Sequence, residues 1–179
     1  MKFKTTTLPD VFLIEPNVYH DDRGHFFESF NLDAWHRQGF QNNFVQDNQS
    51  FSKKGVVRGL HFQSSPHAQG KLVRVIVGRV LEVALDLRPE SPTFGKYELF
   101  DLDSRNGTMV YIPEGFAHGF AALEDSVFHY KCTGQYHKAS EGGLLWNDPT
   151  LNIPWNVKDP IVSDKDQVLP AFLDLFKEA

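Results

Sequence analysis

The segment LEVALDL, residues 81–87, alternates large aliphatic residues with smaller or acidic ones. Its four odd-numbered residues, all leucine or valine, fall on one face of an extended chain, and Glu82, Ala84 and Asp86 fall on the other. This is the period of two that a β-strand shows. We therefore predict a strand here, and we ask how far the same pattern extends along the chain.

The run just upstream repeats the pattern. Val73, Val75 and Val77 share one face, and the dipeptide Gly78-Arg79 between the two runs is typical of a turn or bulge. Short extended segments recur between turn signals elsewhere, without an internal repeat or a low-complexity linker. The sequence predicts an all-β fold, a sandwich or a barrel.

Composition agrees with a sheet-rich globular chain. The 179 residues predict a single domain spanning 1–179, with 41% hydrophobic and 23% charged residues. The aromatic residues comprise 16 Phe, 5 Tyr and 3 Trp, and flat rings suit the pleated surface of a sheet. With 18 basic and 23 acidic residues the net charge is −5, so we expect no nucleic-acid partner.

The chain has one cysteine, Cys132, which excludes a disulfide framework and a cysteine-based zinc site. The N-terminal MKFKTTTLPD has no apolar run after its lysines, so we expect no signal peptide. No apolar stretch reaches 18 residues, and we expect no membrane partner. These features predict a cytoplasmic protein.

Two short helices are predicted beside the strands. Asn31 is a good N-cap for a helix over Leu32–Gln38, and Gly39 is a good residue just past its end. A second helix is predicted near residues 170–178, starting at Pro170 and running through Leu173 and Phe176.

Two segments carry candidate chemistry. VRGLHFQ, residues 57–63, places His61 and Gln63 on one face of a strand, and IPEGFAHGF, residues 112–120, places His118 three residues after Gly115. His-x-Gln followed by Pro-x-Gly-x-x-His is the skeleton of the two cupin motifs, which lie on facing strands of a small jelly roll. Metal-binding cupins have a second His where this chain has Gln63. Two imidazoles rarely hold a catalytic metal alone, so we expect no metal and no cofactor.

Beyond these motifs, the chain resembles the dTDP-4-dehydrorhamnose 3,5-epimerase family from about Leu8 to Pro170. The matching segments occur in family order and are DRG (22–24), FE (27–28), QDNQS (46–50), VRGLHFQ (57–63), QGKLV (69–73), DLR (86–88), SPTFG (91–95), IPEGFAHGF (112–120), YKCT (130–133), WNDP (146–149) and SDKD (163–166). The resemblance implies a cupin-type jelly roll and inversion at C3 and C5 of a 4-keto-6-deoxyhexose carried on dTDP.

The resemblance also implies roles for four catalytic residues. His61 would be the general base and Asp166 the carboxylate that orients it. Tyr130 would donate a proton from the opposite face of the sugar, and Lys71 would stabilise the negative charge on the C4 oxygen. Both carbons flank the C4 carbonyl, so each can lose a proton to give an enolate. Inversion then requires a base and an acid on opposite faces.

Nine further residues match substrate contacts of the family: Arg23, Glu28, Gln46, Asn48, Arg58, His118, Tyr136, Glu141 and Lys165. Arginine suits the pyrophosphate, and Tyr136 would stack on the thymine. The partners implied are the dTDP-linked sugar and a second copy of the chain, in a homodimer that exchanges N-terminal strands.

Other interpretations stay open from sequence. Inversion could be confined to C3 or to C5, or the chain could be a metal-dependent cupin or a non-catalytic sugar-nucleotide binding module. His61 and Tyr130 could be core residues, Asp166 could cap the last helix, and Lys71 could be an edge lysine. Tyr136 is a second candidate for the acid.

Overall fold

The computed structural model describes residues 1–176, and strands account for most of its regular structure. The strands are β1 (Lys2–Thr5), β2 (Phe12–Glu15), β3 (Tyr19–Asp21), β4 (Gly24–Phe26), β5 (Gln46–Ser52), β6 (Val56–Gln63), β7 (Lys71–Val77), β8 (Arg79–Asp86), β9 (Tyr97–Asp103), β10 (Met109–Ile112), β11 (Phe116–Ala122), β12 (Ser126–Cys132), β13 (Glu141–Gly143) and β14 (Ile161–Val162). The α-helices are α1 (Leu32–Arg37), α2 (Asp164–Gln167) and α3 (Phe172–Leu175), and Lys138–Ser140 forms a 3₁₀ turn. No helix within residues 1–176 has the length and apolar character needed to cross a membrane.

The strands form two large sheets. The first has the order β1-β2-β10-β7-β12-β5, and the second has the order β13-β6-β11-β8-β9, with β14 added in parallel to β6. Apolar residues from both sheets, including Val73, Val110, Val80 and Phe120, form one buried cluster between them. Two antiparallel sheets enclosing one core are the cupin jelly roll, as the sequence predicted.

The position of strand β8 explains the regular alternation of its sequence, because its two faces pack against different parts of the molecule. Val80 and Ala84 face the core between the sheets, whereas Leu81, Val83 and Leu85 pack on the outer side of the second sheet. There the C-terminal part of the chain covers them, so both faces of the strand are buried. The predicted turn at Gly78 has a φ of +82°, and through it the chain passes from the first sheet to the second.

The two helix predictions differ in how well they match the structure. The first is confirmed: the Asn31 side chain accepts a hydrogen bond from the Ala34 N–H at 2.9 Å, and Gly39 has a φ of +94°. The last helix begins at Phe172 rather than Pro170, and positions 177 and 178 of the predicted range lie outside the described residues. The four-residue helix α2, which the sequence did not predict, is capped by Ser163.

Residues 17–29, which include the hairpin β3–β4, form an arm outside the two large sheets. Strand β1 is the outer strand of the first sheet, and the hairpin β3–β4 pairs only with itself in the described part of the chain. Tyr19 and Phe26 on this hairpin are 64% and 70% exposed. The arm therefore presents two large apolar side chains that belong to none of the three hydrophobic core clusters of residues 1–176.

The two cupin segments become neighbouring strands. Strand β6 pairs antiparallel with β11, and His61 lies directly across from His118. Their backbones approach closely, since a Cβ added to Gly59 would lie 2.6 Å from the Gly119 Cα. This close contact fixes the relative position of the two histidines.

Candidate active site

A polar cleft opens between the two sheets. It consists of two adjoining cavities of about 320 and 310 Å³ that share Asn48, His61, His118 and Tyr130. The remaining lining residues are Gln46, Gln49, Ser50, Arg58, Phe62, Gln63, Gln69, Lys71, Gly119, Phe120, Phe128, Tyr136 and Glu141. A concave site with this many convergent polar groups is the natural place for a polar ligand.

His61 lies on the wall formed by the second sheet. Its Nε2 is 2.7 Å from Asp166 Oδ1, and the other Asp166 oxygen accepts a hydrogen bond from the Gly59 N–H at 3.3 Å. Burial raises the pKa of Asp166, but these hydrogen bonds outweigh it and hold that pKa below its ordinary value. An ionised Asp166 accepts a hydrogen bond from the Nε2–H of His61, which leaves the lone pair of Nδ1 on His61 available as a base.

The interpretation of Asp166 as a cap of the last helix is wrong, because the N-cap position of α3 is Ala171. Asp166 lies instead within α2, where its backbone N–H donates to the capping Ser163 Oγ at 3.1 Å. Asp166 occupies the third position of this helix. Strand β14, paired in parallel with β6, brings α2 up against His61.

Tyr130 and Lys71 lie on the opposite wall, formed by the first sheet. Tyr130 is on β12 and Lys71 on the neighbouring strand β7, with the Lys71 Nζ 5.8 Å from the centre of the tyrosine ring. Burial raises the pKa of the Tyr130 phenol, so its hydroxyl keeps its proton at neutral pH. Burial also lowers the pKa of Lys71 to about 8. The edge-lysine interpretation is wrong, since β7 lies between β10 and β12 and Lys71 is buried.

His118 lines both cavities from β11. Its Nδ1 is 2.8 Å from Oε1 of Glu82, a fully buried carboxyl group on β8. The sequence predicted His118 as a substrate contact but gave no reason to single out Glu82, which falls among apolar residues in a regular strand.

A chain of polar contacts closes the outer end of the cleft. The Tyr136 backbone N–H donates to Gln46 Oε1 at 2.9 Å, and the Tyr136 hydroxyl donates to Glu141 at 3.1 Å. Glu141 in turn forms an ion pair with Lys165 at 2.6 Å. Gln46 also donates to Asn48 at 3.1 Å. These contacts join the two sheets, because Gln46 is on β5 and Glu141 on β13.

Arg58 borders the second cavity and a neighbouring hollow that Ser163 and Asp166 also line. Its guanidinium donates to Ser52 Oγ at 3.0 Å and to the Phe51 carbonyl at 3.1 Å. These bonds hold the cation at the rim, where an anionic ligand can reach it.

Arg23 and Glu28 are not brought to the cleft within one chain, and Lys165 meets it only through its ion pair with Glu141. Arg23 lies on the β3–β4 arm and forms an ion pair with Asp21 at 2.6 Å. Glu28 lies beyond the same hairpin and accepts a hydrogen bond from Asn31 at 3.0 Å. Neither lines the two cavities.

Sequence reasoning missed several lining residues. Gln63 exchanges two hydrogen bonds with the backbone of His137, and Gln69 donates to the Gly134 carbonyl at 2.7 Å. Gln63 was present in the His-x-Gln motif and shares a strand face with His61, so its position could have indicated the cleft. Gln69 precedes its strand and carries no periodic signal.

The donor set does not suggest a metal centre. His61 and His118 are neighbours across two strands and supply only two candidate ligands, since one nitrogen of each ring is hydrogen-bonded to a carboxyl group. Within residues 1–176 no group of three His, Cys, Asp or Glu side chains could hold a metal ion.

Comparison with known proteins places this cleft in a family. The sequence profile of dTDP-4-dehydrorhamnose 3,5-epimerase matches residues 5–174. The chain belongs to the dTDP-4-dehydrorhamnose 3,5-epimerase family. Among its relatives in this family, the dTDP-4-dehydrorhamnose 3,5-epimerase of Shigella flexneri is 50% identical over 171 residues, which is 94% of each chain.

Solved structures of epimerases share the architecture. A dTDP-6-deoxy-D-glucose-3,5-epimerase from Legionella pneumophila, in complex with dTDP-4-keto-L-rhamnose, is 43% identical with a TM-score of 0.92, covering 98% of this chain and 94% of that one. A 3′-monoepimerase from Streptomyces bikiniensis, in complex with dTDP-quinovose, is 32% identical with a TM-score of 0.86, covering 93% of this chain and 85% of that one. The fold therefore occurs with both single and double inversion, and identity is greater to the 3,5-epimerases.

Proposed function

We propose that this chain inverts C3 and C5 of dTDP-4-dehydro-6-deoxy-D-glucose to give dTDP-4-dehydro-L-rhamnose. The observation that carries the proposal is the placement of His61 and Tyr130 on opposite walls of one cleft. His61 is on the second sheet, paired with Asp166, and Tyr130 is on the first sheet beside Lys71. A sugar ring held between the walls presents one face to each residue.

The first step is removal of a proton from the carbon next to the C4 carbonyl. His61 Nδ1 takes the proton, the C–H bonding electrons form the enolate double bond, and negative charge moves to the C4 oxygen. Asp166 stabilises the imidazolium that results, because its carboxylate already accepts from Nε2.

The second step places a proton on the other face of the same carbon. The Tyr130 hydroxyl gives its proton to the carbon, the enolate returns to the ketone, and the charge passes to the phenolate oxygen. Solvent then returns a proton to Tyr130 and removes one from His61. The same sequence at the second carbon completes the double inversion.

Lys71 would stabilise the enolate between these steps. Its ammonium group is buried in the wall beside Tyr130, where the electrostatic interaction with a developing oxyanion is strong. A positive charge at this position favours the enolate more than the neutral ketone, which is the condition for accelerating the reaction.

The nucleotide would bind at the outer end of the cleft. Arg58 and Lys165 are cations near the rim, and Tyr136, which is 51% exposed, offers a ring for stacking on thymine. Gln46, Asn48, His118 and Glu141 would complete the contacts to the sugar and base.

Arg23 and Glu28 would reach the cleft of a second subunit. We propose a homodimer in which the arm of each chain covers its partner, for two reasons. Both residues are on the arm and away from the cleft of their own chain, and the arm exposes Tyr19 and Phe26. A second copy would bury these rings and complete both sites. We place the reaction in the cytoplasm, whose reducing conditions suit the unpaired Cys132.

The test is incubation of enzyme and dTDP-4-keto sugar in deuterated water, with deuterium counted at each carbon. We expect one deuteron at C3 and one at C5. Incorporation at a single carbon would assign the chain to the monoepimerases. Tight dTDP binding without any incorporation would indicate a binding module. Stoichiometric iron, zinc or manganese in protein purified without chelator would instead support a metal-dependent cupin.

A further inference from the structure

Glu82 is a carboxyl group in an unusual position. It projects from β8 into the space between the sheets, and the side chain is completely inaccessible to solvent. One oxygen, Oε1, is 2.8 Å from His118 Nδ1. The other, Oε2, is the one buried side-chain nitrogen or oxygen atom in residues 1–176 without a hydrogen-bond partner.

These contacts indicate the protonation of the pair. An ionised carboxylate in a protein interior needs hydrogen-bond partners for both oxygens, because an unpaired buried charge is strongly destabilising. Asp166, which is hydrogen-bonded to the His61 ring, meets this requirement because both of its oxygens accept hydrogen bonds. Glu82 does not meet it, since Oε1 has a single contact and Oε2 has none. A neutral acid fits these surroundings, because its O–H can donate to Nδ1. The remaining carbonyl oxygen then lacks a partner, which is less destabilising than a charged oxygen without one.

We propose that Glu82 is a protonated positioning residue whose O–H donates to His118 Nδ1 and fixes that ring as the Nε2–H tautomer. His118 then presents a neutral N–H donor to the cleft. This proposal rests on the proposed function, in which His118 contacts the sugar. In this proposal, the Nε2–H of His118 donates a hydrogen bond to the C4 oxygen of the sugar, beside the Lys71 ammonium group.

The surrounding charges agree with this assignment. Burial raises the pKa of Glu82 far above its ordinary value, although the positive charge of Lys71 opposes the shift. Burial lowers the pKa of His118, and the positive charge of Lys71 lowers it further. Both shifts favour the neutral form of the group concerned, in agreement with the single contact between the two side chains.

The tautomer decides how His118 can act on the enolate. With a neutral Glu82, the ring nitrogen facing the cleft carries hydrogen and attracts an oxyanion. With an ionised Glu82, Nδ1 would carry the hydrogen and Nε2 would present a lone pair, which repels an oxyanion. A protonated carboxyl that keeps a donor available at neutral pH is a known device in enolate-forming sites.

The decisive measurement is the ¹⁵N spectrum of the histidine rings in the free enzyme at pH 7, with His118→Gln used to identify the His118 signals. We expect Nε2 protonated and Nδ1 bare for His118. The spectrum requires no turnover, so it tests the proposal even if the deuterium assay excludes epimerisation. An Nδ1–H tautomer for His118 in the wild-type enzyme would overturn the proposal.

Substitutions give a second readout, because Gln resembles a protonated Glu in shape and can donate to Nδ1 through its amide N–H. We expect Glu82→Gln to keep the Nε2–H tautomer and to lose less than about threefold in kcat. Glu82→Met removes the donor and should mix the tautomers, lowering kcat on the order of 10-fold. The matched control is Asp166→Asn at the ionised pair, where a loss of about 10²-fold or more is expected. Equal losses for Glu82→Gln and Asp166→Asn would show that Glu82 works as a carboxylate, and the proposal would fail.

Discussion

Two carboxyl groups in this protein face imidazole rings at nearly the same distance, 2.7 Å for Asp166 and 2.8 Å for Glu82. Their surroundings separate them. Hydrogen bonds from His61 and the Gly59 backbone keep Asp166 ionised, whereas complete burial without a second partner favours the neutral form of Glu82. Two pairs of a carboxyl group and an imidazole therefore have different roles: His61 on β6 acts as a base, and His118 on β11 acts as a hydrogen-bond donor.

At the residue scale, His61 and Tyr130 should fail in different ways. His61→Ala removes the base, so we expect loss of both inversion and deuterium uptake. Tyr130→Phe keeps the base and the ring, so exchange on the His61 face should persist while inversion falls by about 10²- to 10⁴-fold. Mass spectrometry and NMR of the recovered sugar distinguish the two results.

Tyr136→Phe is the control for this pair. Its hydroxyl bonds Glu141 at the outer end of the cleft, so KM should rise with little change in kcat. Inversion by Tyr130→Phe at a rate near wild type would mean that another acid acts, and Tyr136 would be the first to test.

Lys71 predicts the pH dependence of turnover. Burial lowers the pKa of Lys71 to about 8, so its ammonium group loses its proton as the pH rises through 8. An exposed lysine keeps its charge up to a pH of about 10.4. We expect kcat to fall above pH 8, while Tyr130, whose pKa is raised, stays protonated in this range. A rate profile from pH 6 to 10 checks this. Lys71→Met should be slower and lack the alkaline decline, and a wild-type profile flat to pH 10 would contradict the role.

At the element scale, the pairing of β6 with β11 holds the two histidines in place. Gly59 has a φ of +127°, and an added Cβ would lie 2.6 Å from the Gly119 Cα and 3.0 Å from the His118 carbonyl oxygen. Both obstacles are backbone atoms, which cannot turn away. Strand separation here would also move the Gly59 N–H that binds Asp166.

We therefore expect Gly59→Ala to lower the free energy of unfolding by about 2–4 kcal/mol and to abolish turnover. The control is Gly55→Ala, where φ is +88° but no atom lies within 4 Å of the added Cβ. That variant carries the backbone strain alone, about 1–2 kcal/mol, and should stay active. Urea unfolding of both variants separates the steric clash with Gly119, which only Gly59→Ala has, from the backbone strain that both variants share. Equal losses of stability would contradict the close contact between Gly59 and Gly119.

The accuracy of the sequence predictions follows the strength of the local signal. The alternation in residues 81–87 predicted β8 and its two faces, and Asn31 with Gly39 predicted α1. Helix α2 was missed because four residues are too few for a periodic pattern, and its cap, Ser163, resembles any loop serine. The contact of His61 with Asp166 spans 105 residues, so only the family resemblance could suggest it. Glu82 was missed because a carboxyl group within an apolar strand was assigned to no role.

At the scale of the whole molecule, the arm is the part that a single chain leaves incomplete. It holds Arg23 and Glu28 away from the cleft and exposes Tyr19 and Phe26. Nothing in the core of one chain requires these rings, so a change there should affect assembly before it affects folding.

We expect Phe26→Asp to give a folded monomer by light scattering at micromolar concentration, with a lower kcat/KM because Arg23 no longer reaches a partner. Leu173→Asp is the matched control, since Leu173 is 55% exposed on α3, which packs over the outer side of the second sheet. It should leave both the mass and the activity unchanged. A wild-type protein that is monomeric under these conditions would contradict the proposed dimer.

The long separation between His61 and Asp166 also has a consequence for the time course of folding. Each wall of the cleft is assembled from strands distant in sequence, and the dyad joins β6 to a helix near the C-terminus. Loops of this length close slowly, so contacts of this kind form late. Enzymatic activity should therefore return after the bulk of the strand structure during refolding. On the ribosome, the chain cannot assemble its dyad until synthesis has passed Asp166.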